Sequence, residues 1–153
     1  MAICYRIVKS RRAATVLDGE GARLAGGRWN PAGVALAYLS DSRALAALEI
    51  FVHWGRQATG LKWVLAAVEI PDRMISIPDP VELPEGWDSL PSSSVSRKFG
   101  AEWADSLGSL AIALPSAIIP EEKILLLNVG HPDISEVKIV EIKEFQFDRR
   151  LGG

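Results

Sequence analysis

Cysteine is nearly missing from this chain of 153 residues: Cys4 stands alone, so no internal disulfide can form. Histidine is almost as scarce. His53 and His131 are widely separated from each other and from Cys4, a spacing that matches no recognised metal site. No apolar run is long enough for a membrane-spanning helix, and the opening residues lack a signal-peptide pattern. These absences predict a soluble, cytoplasmic protein that needs no metal. Neither sign of charge dominates, since the net charge is −2 with acids and bases interspersed. A general binder of phosphate backbones would show a basic face, so direct nucleic-acid binding is not expected. Lys9-Ser10-Arg11-Arg12 is the one short basic run, and it reads as the solvated end of a strand.

Apolar residues make up 48% of the chain, enough for a real core, and the length predicts one domain spanning 1–153. Ile3 to Val8 reads as a strand, residues 10–33 mostly as loop, and Val34 to Leu39 as a short apolar strand. Ser40-Asp41-Ser42 supplies capping side chains for a helix over Arg43 to Trp54, which Gly55 stops. Leu45, Leu48 and Val52 are the expected apolar stripe of that helix. Lys62 to Ile70 is a second clear strand. A stretch at 71–91 holds five of the nine prolines, with Met74 to Ile77 its best strand. A shorter helix is expected from the serines at 92–94 to about Leu107, although Gly100 lies inside it. Leu110 to Leu114, Lys123 to Val129 and Val137 to Phe147 read as three more strands. This order favours an α+β fold over a doubly wound parallel sheet.

Gly26-Gly27-Arg28-Trp29-Asn30-Pro31 is the segment richest in chemical meaning. Glycine and proline exclude an ordinary helix or central strand there, and an arginine in that setting suits a carboxylate or phosphate. Four further residues stand out, each with a plainer reading beside the functional one. Glu49, at the edge of a helical apolar stripe, is a cleft carboxylate or a boundary residue paired with His53. Arg6 is a ligand contact or the solvent-facing side of a strand. Tyr38 is a stacking platform or core, and Ser116 a site hydroxyl or a turn serine. Arg28 itself could stack on Trp29 or pair with an acid. Gly19-Glu20-Gly21 is no dinucleotide fingerprint, because no strong strand precedes it and no clear helix follows. No Gly-x-Ser-x-Gly occurs, and Cys4 within a strand looks structural.

Taken together, Tyr5-Arg6, Gly21-Ala22-Arg23, Gly26 to Asn30, Ala37-Tyr38-Leu39-Ser40, Ala47-Leu48-Glu49 and Leu114-Pro115-Ser116-Ala117 resemble the RES family, named for its Arg, Glu and Ser. Leu83-Pro84 with Trp87, Gly100 with Trp103, and Asn128 with His131-Pro132 extend the resemblance over residues 4–150. Lys123 and Val129 depart from it, standing where members commonly carry asparagine and proline. The resemblance implies a compact α+β domain similar to ADP-ribosyltransferases, with a split, mostly antiparallel sheet around an NAD⁺ cleft. It implies a toxin of a bacterial toxin–antitoxin pair that degrades NAD⁺ by hydrolysis or phosphorolysis, or that ADP-ribosylates a protein. The implied partner is an Xre-like antitoxin that covers the cleft. Glu49, Arg28 and Ser116 would be catalytic, and Arg6, Arg28, Tyr38 and Ser116 would hold NAD⁺, with no cofactor or metal besides that substrate. Arg6 and Arg28 are expected to face one cleft. A non-enzymatic binding module and a nuclease are the competing classes.

Overall fold

The computed structural model describes residues 1–153. Its seven strands are β1 (Ala2–Lys9), β2 (Leu36–Ser40), β3 (Trp63–Ile70), β4 (Ile75–Ser76), β5 (Ala111–Pro115), β6 (Lys123–Asn128) and β7 (Lys138–Phe145). They form one sheet in the order β4-β5-β6-β2-β1-β3-β7. Only β4 and β5 run parallel, so the architecture is α+β with a mostly antiparallel sheet. Three helices accompany it: α1 (Glu20–Ala25), α2 (Arg43–Trp54) and α3 (Ser94–Ser106). No helix is long and apolar enough to cross a membrane.

The sheet is nearly divided between β1 and β2. A single residue pair, Tyr5 with Ser40, joins them, whereas β1 pairs with β3 along its whole length from Ala2–Ile70 to Lys9–Trp63. Continued register would set Tyr38 opposite Ile7. Instead the Tyr38 carbonyl accepts a hydrogen bond of 2.8 Å from Arg6 Nη1. A side-chain donor thus satisfies a carbonyl at the point where the backbone ladder stops.

Alternation along the strands sorts the core onto two faces. Cys4 and Val8 of β1 join Val64, Ala66 and Val68 of β3 and Ala37 and Leu39 of β2 on one face. On the other, Ile7, Trp63 and Leu65 pack beneath Ala46 of α2, and Leu36, Ile112, Leu114 and Leu126 pack with Leu45 and Trp29.

Several boundaries differ from the sequence expectation. Within 10–33, a 3₁₀ turn spans Ser10–Thr15 and α1 follows it. Asp18 Oδ1 accepts from the Glu20 amide at 3.0 Å, and Arg23 grips the Glu20 carboxylate through Nε and Nη2 at 2.6 and 2.9 Å. These local bonds offset the poor helical tendency of a glycine-rich stretch. The buried stripe of α2 is also different. Leu45 is buried with Ala46, and Ala47, Ile50 and Phe51 pack against the core, but Leu48 and Val52 are 36% and 58% exposed. The helix is apolar almost all round, so periodicity alone does not select its inner face. In β7 the alternation is broken by a bulge: Glu141 pairs with Ala67 and Ile139 with Val68, leaving Val140 unpaired.

Candidate functional site

Glu49 lies in the second turn of α2 and is half-buried. The helix is fixed at its start by Ser42, whose hydroxyl accepts from the Leu45 amide at 3.0 Å. Ser116 follows the end of β5 and is fully buried. Its Oγ accepts from the amides of Ile118 at 3.0 Å and Ile119 at 3.2 Å. With both lone pairs engaged, the hydroxyl proton points one way, to Glu49 Oε1 at 2.9 Å. Glu49 Oε1 thus has a fixed donor, while Oε2 has no protein partner. Ser116 Oγ therefore both orders the turn at Ile118–Ile119 and holds the Glu49 carboxylate.

The loop carrying Arg28 is held from three sides. The Tyr38 hydroxyl accepts from the Trp29 amide at 2.9 Å and donates to Asn30 Oδ1 at 2.6 Å. Asn30 Nδ2 donates to the carbonyls of Ala22, Pro31 and Val34. Ser96 Oγ of α3 donates to the Arg28 carbonyl at 2.6 Å. Gly100, one turn further along α3, is obligatory for this contact: a Cβ there would lie 1.7 Å from the Trp29 carbonyl oxygen. The glycine that seemed to weaken the helix is therefore the place where the loop backbone rests on it. Trp29 is fully buried, stacked on Trp87 and edge-on to Phe99. Its Nε1 is the one buried side-chain polar atom without a hydrogen-bond partner.

Arg28 Nη1 donates to the carbonyls of Trp87 and Ser89, each at 2.9 Å. It makes no ion pair, and its Nε and Nη2 have no protein partner. Arg6 resembles it in this. Its Nε donates to the Val16 carbonyl and its Nη1 to that of Tyr38, both at 2.8 Å, with no carboxylate bonded to it. Burial lowers the Arg6 pKa, the charge of Asp18 opposes that shift, and Arg12 adds to it. Burial likewise raises the Tyr38 phenol above its ordinary value, against the Trp29 hydrogen bond and the charge of Arg28. Neither guanidinium is bonded to a carboxylate, although the charge of Asp18 is felt at Arg6.

The five residues singled out in the sequence divide by face. Tyr38 packs with Trp29 and Leu36 on the same side of the sheet as α2, the helix that carries Glu49. Arg6, between Cys4 and Val8, projects from the opposite face and reaches Tyr38 by its carbonyl, across the split. Arg6 thus meets the Tyr38 backbone from the far face, while Arg28 is held on the loop by the Trp87 and Ser89 carbonyls. Strand parity decides this, because Tyr5 rather than Arg6 shares the face of the Ser40 side chain. Tyr38 has its hydroxyl committed to the loop, so any role toward a ligand belongs to its ring.

Asn30 is the hub of the loop, which the sequence pattern does not signal. An asparagine between tryptophan and proline gives little sign that its amide will meet four partners. Asn128 and His131 serve the end of α3. Asn128 Nδ2 donates to the Ala104 carbonyl at 3.0 Å. His131 Nδ1 accepts from the Asp133 amide, so the proton on Nε2 is free to reach the Leu107 carbonyl at 3.1 Å.

Known proteins resemble this chain in sequence and in fold. The RES domain family model matches residues 3–148. The Prs ADP-ribosylating toxin of Sphingobium sp. is 40% identical over 152 residues, covering 96% of this chain and 94% of that protein. Toxin Res of Yersinia enterocolitica is 38% identical over 148 residues, covering 96% and 97%. The crystal structure of the M. tuberculosis MbcT–MbcA toxin–antitoxin complex contains a chain of the same fold. It matches with a TM-score of 0.72 at 21% identity, over 94% of this chain and 84% of that one. With a family match over nearly its whole length and relatives at this identity, the chain belongs to the RES domain family.

Proposed function

We propose that this protein is the toxin of a toxin–antitoxin pair and cleaves NAD⁺ at the nicotinamide–ribose bond. One observation carries the reading: a half-buried carboxylate, Glu49, oriented by a buried serine hydroxyl, with its second oxygen free of protein partners. A carboxylate so held can accept a ribose hydroxyl and stabilise the oxocarbenium-like cation that forms as the C–N bond breaks. Nicotinamide leaves as a neutral molecule with the bonding electron pair, so no metal is required. The cation is then captured by an acceptor whose proton passes to solvent. Arg28, with Nε and Nη2 free, suits the pyrophosphate, and the remaining Nη2 of Arg6 lies at the split on the other side of Tyr38.

Water as acceptor gives hydrolysis and inorganic phosphate gives phosphorolysis. A protein side chain gives ADP-ribosylation, a reading favoured by the name of the Sphingobium relative. The MbcT–MbcA complex supports a protein antitoxin as partner. Proton NMR of NAD⁺ with the purified protein tests the proposal. Nicotinamide release that depends on free phosphate identifies a phosphorylase, and release without it a hydrolase. Release only with added lysate, accompanied by labelled protein, identifies a transferase. No release under any of these conditions contradicts NAD⁺ cleavage and leaves a binding module.

A further inference from the structure

Glu122 joins the loop that carries Ser116 to the start of the helix that carries Glu49. Ser116 opens this loop after β5, and Lys123 of β6 follows it. The Ser116 amide donates to the Glu122 carbonyl and the Glu122 amide to the Ile119 carbonyl, each at 2.9 Å, so the loop closes on itself. The Glu122 side chain is half-buried, and its Oε1 accepts from Ser42 Oγ at 3.4 Å. Ser42 Oγ in turn accepts from the Leu45 amide, so one hydroxyl links the cap of α2 to the loop. The neighbouring residues tighten the same join. The Asp41 amide donates to the Lys123 carbonyl at 3.1 Å, and Asp41 Oδ2 accepts from the Lys123 amide at 3.2 Å. The place also suits a negative charge. The first turn of α2 contains no acid, and its Arg43 lies over the Tyr5 ring, 4.4 Å from the centroid. The Glu122 carboxylate supplies the charge that a helix N-terminus favours.

Ser42 and Glu49 are seven positions apart. At about 100° per residue that offset is two turns less about 20°, so both face one side of α2, roughly 10 Å apart along its axis. This side meets the 116–122 loop at both places, at Ser42 through Glu122 Oε1 and at Glu49 through Ser116 Oγ. One bond alone would leave the helix free to pivot about it. Two bonds on one side fix its rotation and its distance from the loop together. Glu122 takes part in both ties, since its side chain holds Ser42 while its carbonyl holds the Ser116 backbone.

We propose that Glu122 is a positioning residue: by clamping the start of α2 to the loop, it sets the separation between Ser116 Oγ and the Glu49 carboxylate without touching substrate. The catalytic consequence rests on the NAD⁺ reading above, whereas the clamp itself does not.

The test uses Glu122→Ala and Glu122→Gln as full chains, with Glu121→Gln as control, because the Glu121 side chain is exposed and bonded to nothing. Single-turnover nicotinamide release and the KM for NAD⁺ are measured beside the ¹³C signal of the Glu49 carboxyl carbon. Glu122→Ala is expected to slow release roughly tenfold with KM within about threefold of wild type, because a misplaced catalytic group loses rate rather than binding. Glu122→Gln keeps an acceptor for Ser42 and should recover most of the rate. In a Ser116→Ala background, Glu122→Ala should lower the rate almost no further, the non-additivity of residues that act through one bond. The Glu49 carbon signal should move in Glu122→Ala in the direction it moves in Ser116→Ala, and stay in place in Glu121→Gln. A wild-type release rate in Glu122→Ala, a fully additive loss in the double variant, or an unmoved Glu49 signal overturns the inference. Should Glu122→Ala not fold, Ser42→Gly breaks the same tie from the other side with little loss of capping, and the same outcomes are read from it. If wild type releases no nicotinamide, the cleavage reading fails, and the Glu49 carbon signal still decides the clamp.

Discussion

Replacing Gly100 with alanine sets two large effects against each other. Alanine is the better helix former by about 1 kcal/mol, so on helix propensity alone α3 should gain stability. The structure predicts the reverse. The new Cβ would stand 1.7 Å from the Trp29 carbonyl oxygen and 2.8 Å from its carbon, when ordinary contact begins at 3.4 Å. What it meets is backbone, which cannot swing aside as a flexible side chain would. The loop is also pinned on both sides of the contact, by Ser96 at the Arg28 carbonyl and by Tyr38 at the Trp29 amide. Relief requires either that α3 withdraw from the loop or that one of these bonds break. Overpacking costs about 1–3 kcal/mol and a lost buried hydrogen bond about 1 kcal/mol; less the propensity gain of about 1 kcal/mol, the net change should be a loss of about 1–3 kcal/mol. Urea unfolding should show a lower midpoint with an unchanged slope. NAD⁺ affinity should fall as well, because the displaced loop carries Arg28. A variant as stable as wild type, or more stable by the propensity gain, would refute this account of the α3–loop contact.

Tyr38→Phe removes one hydroxyl and strands two buried groups, the Trp29 amide and Asn30 Oδ1; a loss of about 1–3 kcal/mol in chemical unfolding is expected, and a neutral change would contradict the hub. Ser116→Ala should lower NAD⁺ turnover roughly ten- to a hundredfold, as expected for loss of a hydrogen bond to a carboxylate, while Ser116→Thr should retain more; equal activity of Ser116→Ala and wild type would remove Ser116 from the mechanism. Burial pushes the Cys4 thiol up to about 12. The unfolded chain releases this proton first, so stability is full below the ordinary thiol value and falls as pH rises above it. Between pH 8 and 10 the loss attributable to Cys4 should be on the order of 1 kcal/mol, and it should vanish in Cys4→Ala; identical pH slopes in the two proteins would refute it.

Much of this molecule was legible from residue order. The α2 boundaries followed from Ser42 and Gly55, local signals that act within one turn. The apolar strands β1, β3, β5 and β6 announced themselves by composition. Less was legible where tertiary contacts decide. The inner face of α2 could not be chosen because its residues are apolar on nearly every side. The helix α1 depends on the Glu20–Arg23 pair and on Asp18, inside a segment whose glycines suggest a loop. The α3 glycine looked like a defect because its partner, the Trp29 carbonyl, is about 70 residues away in the chain. Of the site residues, Glu49 and Ser116 were readable as a pair only through resemblance to a family; that they are bonded is a fact of the fold. The opposed directions of Arg6 and Tyr38 needed the register of β1 against β2, which one residue pair alone sets.

The central claim is that Glu49 acts on the bond that breaks. The most direct test measures nicotinamide release in a single turnover by Glu49→Gln, with NAD⁺ binding measured on the same preparation. The glutamine keeps the shape and removes the charge that would stabilise the developing cation. The account predicts that binding survives within a few-fold while release slows by about a hundredfold or more, the usual scale for losing one charge-stabilising group. Release at the wild-type rate would contradict it, as would a loss of turnover explained wholly by a loss of binding.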